Sequence, residues 1–227
     1  MNGSEMPIWS PSKERAQTTN LARFAAQQGF STYGELHAWS VTQPAEFWAA
    51  VWSELGVIGE PGERIVEPAE PFWMTQFFRD ASLNVAENLL GSLPDNEPAI
   101  VSFTEDPNYQ REVSGEELRL LVGQLQVAML QCGIGEGDCV TAWLPHIIET
   151  VAVMLAATGL GAVFSATSPD FGVDGVVDRF GQIKPKLLFV CDAYRYGGKV
   201  HERLPLLSDI STALPSLKQI VVIPHLG

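Results

Sequence analysis

The amino-acid sequence predicts an α/β protein: a helical, aromatic-rich N-terminal region, residues 1–97, followed by an incomplete doubly wound parallel sheet with helices on both faces, residues 98–227. Three observations predict it. From Ala99 onward, short apolar runs alternate with stretches of helical spacing, the order that builds βαβ units. Those runs are continuous rather than alternating, which requires burial on both faces and therefore a sheet covered by helices. Upstream there is no strand alternation, and five of the six tryptophans (Trp9, Trp39, Trp48, Trp52 and Trp73) fall there.

In the first region, Pro44 suits the first position of a helix, where its missing N–H costs nothing. Phe47, Trp48, Val51, Trp52 and Leu55 follow helical spacing over Ala45 to Leu55, and Gly56 stops the helix. A second short helix runs from Leu83 to Leu90, closed by Gly91. The tryptophans read as packing that fastens an appendage rather than as a ligand platform.

In the second region, Ala99 to Thr104 is a strand. Ser114 and Glu117 form a Ser-x-x-Glu capping box that starts a helix. Its apolar stripe is Leu118, Leu121, Val122, Leu125, Ala128 and Met129, and Gly133 ends it. Cys139 to Leu144 is a strand that Pro145 closes. There follow helix Ile147 to Leu160, strand Ala162 to Ala166, helix Val173 to Ile183, strand Lys186 to Val190, a helical stretch His201 to Leu214 and strand Gln219 to Ile223. The chain stops at Gly227 with no closing helix, so the sheet is expected to be the opening part of a larger one. Ligands of such sheets sit beyond the carboxyl ends of the strands. The loops that matter are therefore Pro145–His146, Thr167–Gly172 and Cys191–Lys199.

Composition narrows the function. The 227 residues are 46% hydrophobic and 18% charged, ordinary for a globular protein. Lysine plus arginine is 14 against 27 aspartates and glutamates, a formal charge of −13. Such a chain repels nucleic-acid phosphates and anionic lipid, so neither nucleic acid nor membrane is expected as a partner. The cysteines (Cys132, Cys139, Cys191) and histidines (His37, His146, His201, His225) are too scattered for a disulfide framework or a metal cluster. The first residues hold no apolar run of the kind a secretory signal needs. Thr150 to Pro169 is uncharged, but Gly159, Gly161, Ser165, Thr167 and Ser168 interrupt it, so it reads as a buried helix and strand. A cytoplasmic location is the simplest expectation.

Several phosphate-like patterns fail. Gly133-Ile-Gly-Glu-Gly137 follows a helix and precedes a strand, the reverse of the dinucleotide-binding order. Gly197-Gly198-Lys199 lacks the upstream glycine of a P-loop and has Val200 where Ser or Thr belongs. No Gly-x-Ser-x-Gly elbow occurs. Two loops remain. In Ser165-Ala-Thr-Ser-Pro-Asp-Phe-Gly172, backbone N–H groups and the Ser168 hydroxyl can receive an anionic oxygen; alternatively Ser168 or Asp170 simply caps the next helix. In Asp192-Ala-Tyr-Arg-Tyr-Gly-Gly-Lys199, Arg195 and Lys199 can bind phosphates while Tyr194 or Tyr196 stacks on a base; alternatively this is a solvated surface loop.

These same residues carry a resemblance. Leu160-Gly-Ala-Val-Phe-Ser-Ala-Thr-Ser-Pro-Asp-Phe-Gly172, the block from Val176-Val-Asp-Arg-Phe-Gly-Gln-Ile to Phe189, and Asp192 to Lys199 together resemble the acetoacetate–CoA ligases, in the adenylate-forming acyl-CoA synthetase superfamily. Trp39-Ser-Val, Pro44-Ala-Glu-Phe-Trp48, Leu83-Asn-Val-Ala-Glu-Asn-Leu-Leu90 and Gly133-Ile-Gly-Glu-Gly-Asp138 extend the likeness over roughly Trp9 to Pro224. The resemblance implies that ATP and a carboxylate give an acyl-adenylate and pyrophosphate, and that CoA thiolate then displaces AMP. It implies that Ser168, Pro169, Asp170, Phe171, Arg195 and Lys199 face CoA. It also implies that residues 1–97 are like the N-terminal region of acetyl-CoA synthetases, and that small molecules are the partners. No catalytic residue is expected in this chain. The Gly/Ser/Thr-rich ATP loop, the adenine and magnesium motifs and the C-terminal catalytic lysine of the family are absent from these 227 residues. The Mg2+ of the parent reaction is thus expected to bind elsewhere, and the isolated chain to be inactive. His146 stands where the family usually has Asn, and Phe78-Arg-Asp80 where it has Phe-Pro-Gly. The alternatives are an acetate or propionate CoA ligase fragment, and a non-catalytic CoA-binding module.

Overall fold

A computed structural model describes residues 8–105 and 109–226. The chain forms two compact units that part between Leu83 and Asn84. No helix among the described residues is long and apolar enough to cross a membrane.

The first unit opens with helices α1 (Lys13–Gln17), α2 (Asn20–Gln27), α3 (Tyr33–Thr42) and α4 (Pro44–Glu54). Two short antiparallel ladders follow. β1 (Gly59–Glu60) pairs with β4 (Ser82–Leu83), and β2 (Val66–Glu67) with β3 (Gln76–Phe77). α4 is the helix expected from apolar spacing. The others are announced by caps: Thr19 accepts from the Ala22 N–H, and Thr32 with Glu35 closes a full capping box on α3. The core is small. Phe24, Ala25 and Leu36 are buried against Trp39, Phe47 and Val51. Phe47 stands edge-on to Phe24 and Trp39, at 6.0 and 5.5 Å. Trp9 and Trp73 lie outside this packing and are exposed.

The second unit contains α5 (Val85–Gly91), β5 (Pro98–Phe103), β6 (Gln110–Ser114), α6 (Gly115–Gln131), β7 (Cys139–Trp143), α7 (Ile148–Gly159), β8 (Val163–Thr167), α8 (Val173–Gly181), β9 (Leu187–Cys191), β10 (Ala193–Tyr196), β11 (Lys199–Glu202), α9 (Leu207–Ala213) and β12 (Gln219–Ile223). The parallel sheet has the order β12-β9-β7-β8. Side chains alternate between two cores. Val140, Ala142, Leu187, Phe189 and Cys191 meet Ala86, Leu118, Val122 and Ala156 of α5, α6 and α7. Trp143, Leu188 and Val190 meet Val176 and Phe180 of α8 and Ile210 of α9. All five residues of β9 are buried, as its unbroken apolar run requires. This is the doubly wound arrangement the sequence predicts.

Local chemistry sets the boundaries. Ser114 and Glu117 make both bonds of the capping box that starts α6. Asn84, not Leu83, opens α5: its Oδ1 accepts from the Ala86 and Glu87 N–H groups. In the turn from α6 to β7, Asp138 accepts from the Gly135 N–H and pairs with Lys186. That pairing, with Lys186 the larger influence, holds its carboxyl below the usual range.

Two expectations are corrected. The strand expected at Ala99 to Thr104 does not join the parallel sheet; it pairs antiparallel with β6. The helical stretch expected from His201 to Leu214 is not helical at its start. His201 and Glu202 lie in β11, and α9 begins at Leu207 after a 3-10 turn, Leu204–Leu206. The cause is Gly197-Gly198, with φ of 58° and 74°. Two consecutive left-handed residues make the turn that returns a chain on itself as a hairpin, so β10 and β11 pair with Tyr196 opposite Lys199.

Candidate functional site

The strand order puts a break at one place. β7 connects through α7 to β8 on one side, whereas β8 connects through α8 back across to β9 on the other. The chain therefore leaves the carboxyl ends of β7 and β9 toward opposite faces, which opens a crevice between them. A cleft of about 340 Å³ lies there. Pro145, His146 and Ile147 line it after β7, Tyr194, Arg195 and Tyr196 after β9, and His225 and Leu226 after β12. Phe103, Thr104, Glu105 and Tyr109 complete the lining.

Asp192 ties two of these segments together. Its Oδ1 accepts from the Ala193 N–H at 2.7 Å and from the His225 N–H at 2.8 Å. The Tyr194 ring stacks on His201 at 5.1 Å, and the buried Arg203 guanidinium lies 4.7 Å from Tyr194 and 5.1 Å from Trp143. His225 stands edge-on to Tyr109 at 5.9 Å. Burial lowers the His225 pKa below its ordinary 6.5, which favours the neutral imidazole.

The hairpin carries both expected cations. Arg195 and Lys199 are exposed, on β10 and β11 respectively; Arg195 lines the cleft. The turn between them is held from outside. The Gly197 N–H donates to Glu105 Oε1 at 2.8 Å and the Gly198 N–H to Oε2 at 3.0 Å. These two N–H groups, helped by Arg195, hold the Glu105 carboxyl below its ordinary pKa of 4.5.

The second expected loop follows β8. Ser168 is half-buried, Pro169 buried, Asp170 exposed and Phe171 half-buried. The Ser168 hydroxyl donates to Asp170 Oδ1 at 2.6 Å. Neither side chain caps α8, whose N-cap is Gly172, without a side-chain bond. The simple capping alternative is therefore not what the loop does. Phe171 packs beneath Arg179 and against Gly175.

The structure brings Arg195 and Lys199 onto one hairpin and keeps Ser168–Phe171 on another loop, with β7 lying between β8 and β9. Sequence reasoning missed Glu105, Tyr109 and His225. Nothing local marks Glu105, which lies 92 residues from its partner Gly197.

Comparison with known proteins supplies a further line. Residues 91–226 match the family described as AMP-binding enzyme, and residues 33–89 match the acetyl-coenzyme A synthetase N-terminus. An acetoacetyl-coenzyme A synthetase of Rhizobium meliloti (strain 1021) is 40% identical over 99% of this chain and 35% of its own length. One from Gallus gallus is 37% identical over 97% of this chain and 34% of its own. The solved structure of an acetoacetyl-CoA synthetase from Streptomyces lividans superposes with a TM-score of 0.85 at 35% identity, covering 98% of this chain and 36% of that one. The chain thus spans about a third of the length of the curated relatives it matches.

Proposed function

The chain belongs to the AMP-binding enzyme family, and from that membership we propose that it is the N-terminal portion of an ATP-dependent acetoacetate–CoA ligase. The reaction joins acetoacetate and CoA as acetoacetyl-CoA, with ATP cleaved to AMP and pyrophosphate. The observation that carries this reading is similarity to acetoacetyl-CoA synthetases over nearly the whole chain, in sequence and in fold. Residues 98–227 are then the first part of the synthetase's large domain, and residues 1–97 its N-terminal region. A cytoplasmic location and small-molecule substrates accord with this reading.

The chemistry divides between this chain and the rest of the protein. Adenylation makes the carboxylate's oxygen a good leaving group, because AMP departs as a stabilised phosphate anion. The CoA thiolate then attacks the activated carbonyl. Residues of this chain serve the substrate of the second step, CoA. Arg195 and Lys199 supply positive charge for the phosphates of CoA, and Tyr196 offers a ring beside them. Ser168, Pro169, Asp170 and Phe171 border the same substrate. No group of three or more His, Cys, Asp or Glu side chains that could hold a metal occurs among the described residues. On this reading Mg2+ accompanies ATP in the remainder of the protein. The match of residues 33–89 keeps acetate as the alternative acid.

The test uses the 227-residue chain. Calorimetric titration with CoA is expected to show binding that Lys199→Glu weakens. Unchanged affinity in that variant removes Lys199 from the site, and absence of binding by the parent chain removes the CoA assignment. With acetoacetate, ATP and CoA the chain is expected to release no AMP; measurable turnover overturns the division of labour just given.

A further inference from the structure

We propose that Glu105 is the positioning residue of the β10–β11 hairpin, its carboxylate fixing the orientation in which Arg195 and Lys199 are presented. The ligand in this inference, CoA, rests on the function proposed above; the role of Glu105 in holding the hairpin does not.

The geometry is a two-point clasp. Each carboxylate oxygen takes one backbone N–H of the turn, at 2.8 and 3.0 Å. Bonds from N–H groups to an ionised acceptor are stronger than neutral ones. They fall on the two residues of the hairpin with the greatest backbone freedom, Gly197 and Gly198. Without the clasp, a diglycine turn bearing exposed cations would sample many orientations, and a ligand would bear the entropy of ordering it. The clasp also links distant parts of the chain, because Glu105 follows β5 while the hairpin follows β9.

The placement is electrostatically costly for an anion site, and this gives the proposal a sign. Glu105 lies close enough to Arg195 for each to feel the other's charge. A carboxylate there repels an approaching phosphate. If charge alone mattered, Glu105→Gln would tighten the binding of CoA. If positioning governs, Glu105→Gln weakens it, because an amide offers one acceptor oxygen where the carboxylate offers two.

Two measurements on the 227-residue chain decide the matter. The first is nuclear magnetic resonance of the Gly197 and Gly198 amides during an acid titration. Their shifts are expected to titrate together at a pKa below 4.5, and to lose that step in Glu105→Gln. The other ionisable groups lining the cleft are His146, His225, Tyr109, Tyr194, Tyr196 and Arg195, so the step assigned to Glu105 is the one that Glu105→Gln removes. Exchange of both amides with solvent is expected to accelerate by about tenfold or more in the variant. The second is CoA affinity, expected to fall by about fivefold or more in Glu105→Gln. Affinity that is unchanged or improved overturns the proposal, as do Gly197 and Gly198 amides indifferent to Glu105. If the parent chain binds no CoA, the ligand assignment fails by itself, and the amide titration alone decides whether Glu105 holds the turn.

Discussion

The guanidinium carbon of Arg179 lies 3.9 Å from the centre of the Phe171 ring. The Arg179 Nη1 also donates to the Gly175 carbonyl at 3.2 Å, so the stack is anchored to the helix beneath it. Gly175 completes the arrangement, because a Cβ there would sit 2.9 Å from Phe171 Cδ1. The loop after β8 is thus fixed by a ring held between a cation and a bare stretch of helix. Gly175→Ala gains about 1 kcal/mol of helix propensity but forces the ring out of its place, at about 1–3 kcal/mol. We expect a net loss of stability and a displaced Phe171, read as a lower melting temperature and an altered Phe171 ring resonance. Arg179→Ala, which removes the cation but leaves the space, is expected to cost less, about 0.5–1 kcal/mol.

Asn84 does two jobs at the start of the second unit. Its Oδ1 caps α5, while its Nδ2 donates to the Thr158 carbonyl at 3.0 Å at the end of α7. Asn84→Ala loses both and is expected to cost about 1–2 kcal/mol in urea unfolding. Asn84→Ser keeps a capping oxygen and loses the bond to Thr158. Its midpoint is expected to fall between the two, and identity with the alanine variant would mean the cap contributes nothing.

What was legible in the sequence follows from how each element earns its place. β9 and α6 were readable because burial on both faces leaves an unbroken apolar run, and because Ser114 and Glu117 are three residues apart on the chain. β6 was not, because Gln110-Arg-Glu-Val-Ser114 has one apolar residue and is a strand only through its pairing with β5. The end of β11, His201 and Glu202, falls within the stretch expected to be helical because apolar residues from Leu204 to Leu214 fit a helical period, while the diglycine turn that dictates the hairpin lies upstream of them. The site divides in the same way. Arg195 and Lys199 stood out as cations in an acidic chain, and Ser168–Phe171 by their place between strand and helix. Glu105 and His225 become neighbours of the hairpin and the cleft only through tertiary contacts made across long separations.

Gly115 shows a constraint that spacing cannot reveal. It opens α6 between Ser114 and the two glutamates of the first turn, where many residues would suit the helix. In the folded chain a Cβ at Gly115 would lie 2.1 Å from the Pro94 carbonyl oxygen. That atom is backbone, so relief requires moving the segment before β5 or the start of the helix. Gly115→Ala is therefore expected to destabilise by about 3 kcal/mol or more despite alanine's better helix propensity. Chemical denaturation checks it; a loss below about 1 kcal/mol would show that the Leu93–Pro94 segment yields freely.

Cys191 supplies a pH dependence whose sign can be worked out. It ends β9 with no exposed surface, and burial pushes its thiol from the ordinary 9.0 up to about 11. In the unfolded chain the thiol ionises near 9, whereas in the native protein it keeps its proton to about 11. Between these values the unfolded state binds fewer protons, so this group makes stability fall as pH rises through that window. Below 9 both states are protonated and the effect vanishes. The informative quantity is the difference between the parent and Cys191→Ala, in which the contributions of all other groups cancel. Below 9 the variant is expected to be less stable because it leaves a cavity, and above 9 its stability is expected to decline less steeply, so the gap to the parent narrows. Parallel slopes would place the Cys191 thiol at its ordinary pKa. Alkylation gives an independent check. At pH 8 iodoacetamide is expected to modify the partly exposed Cys132 and Cys139 before Cys191, which reacts only as the sheet opens.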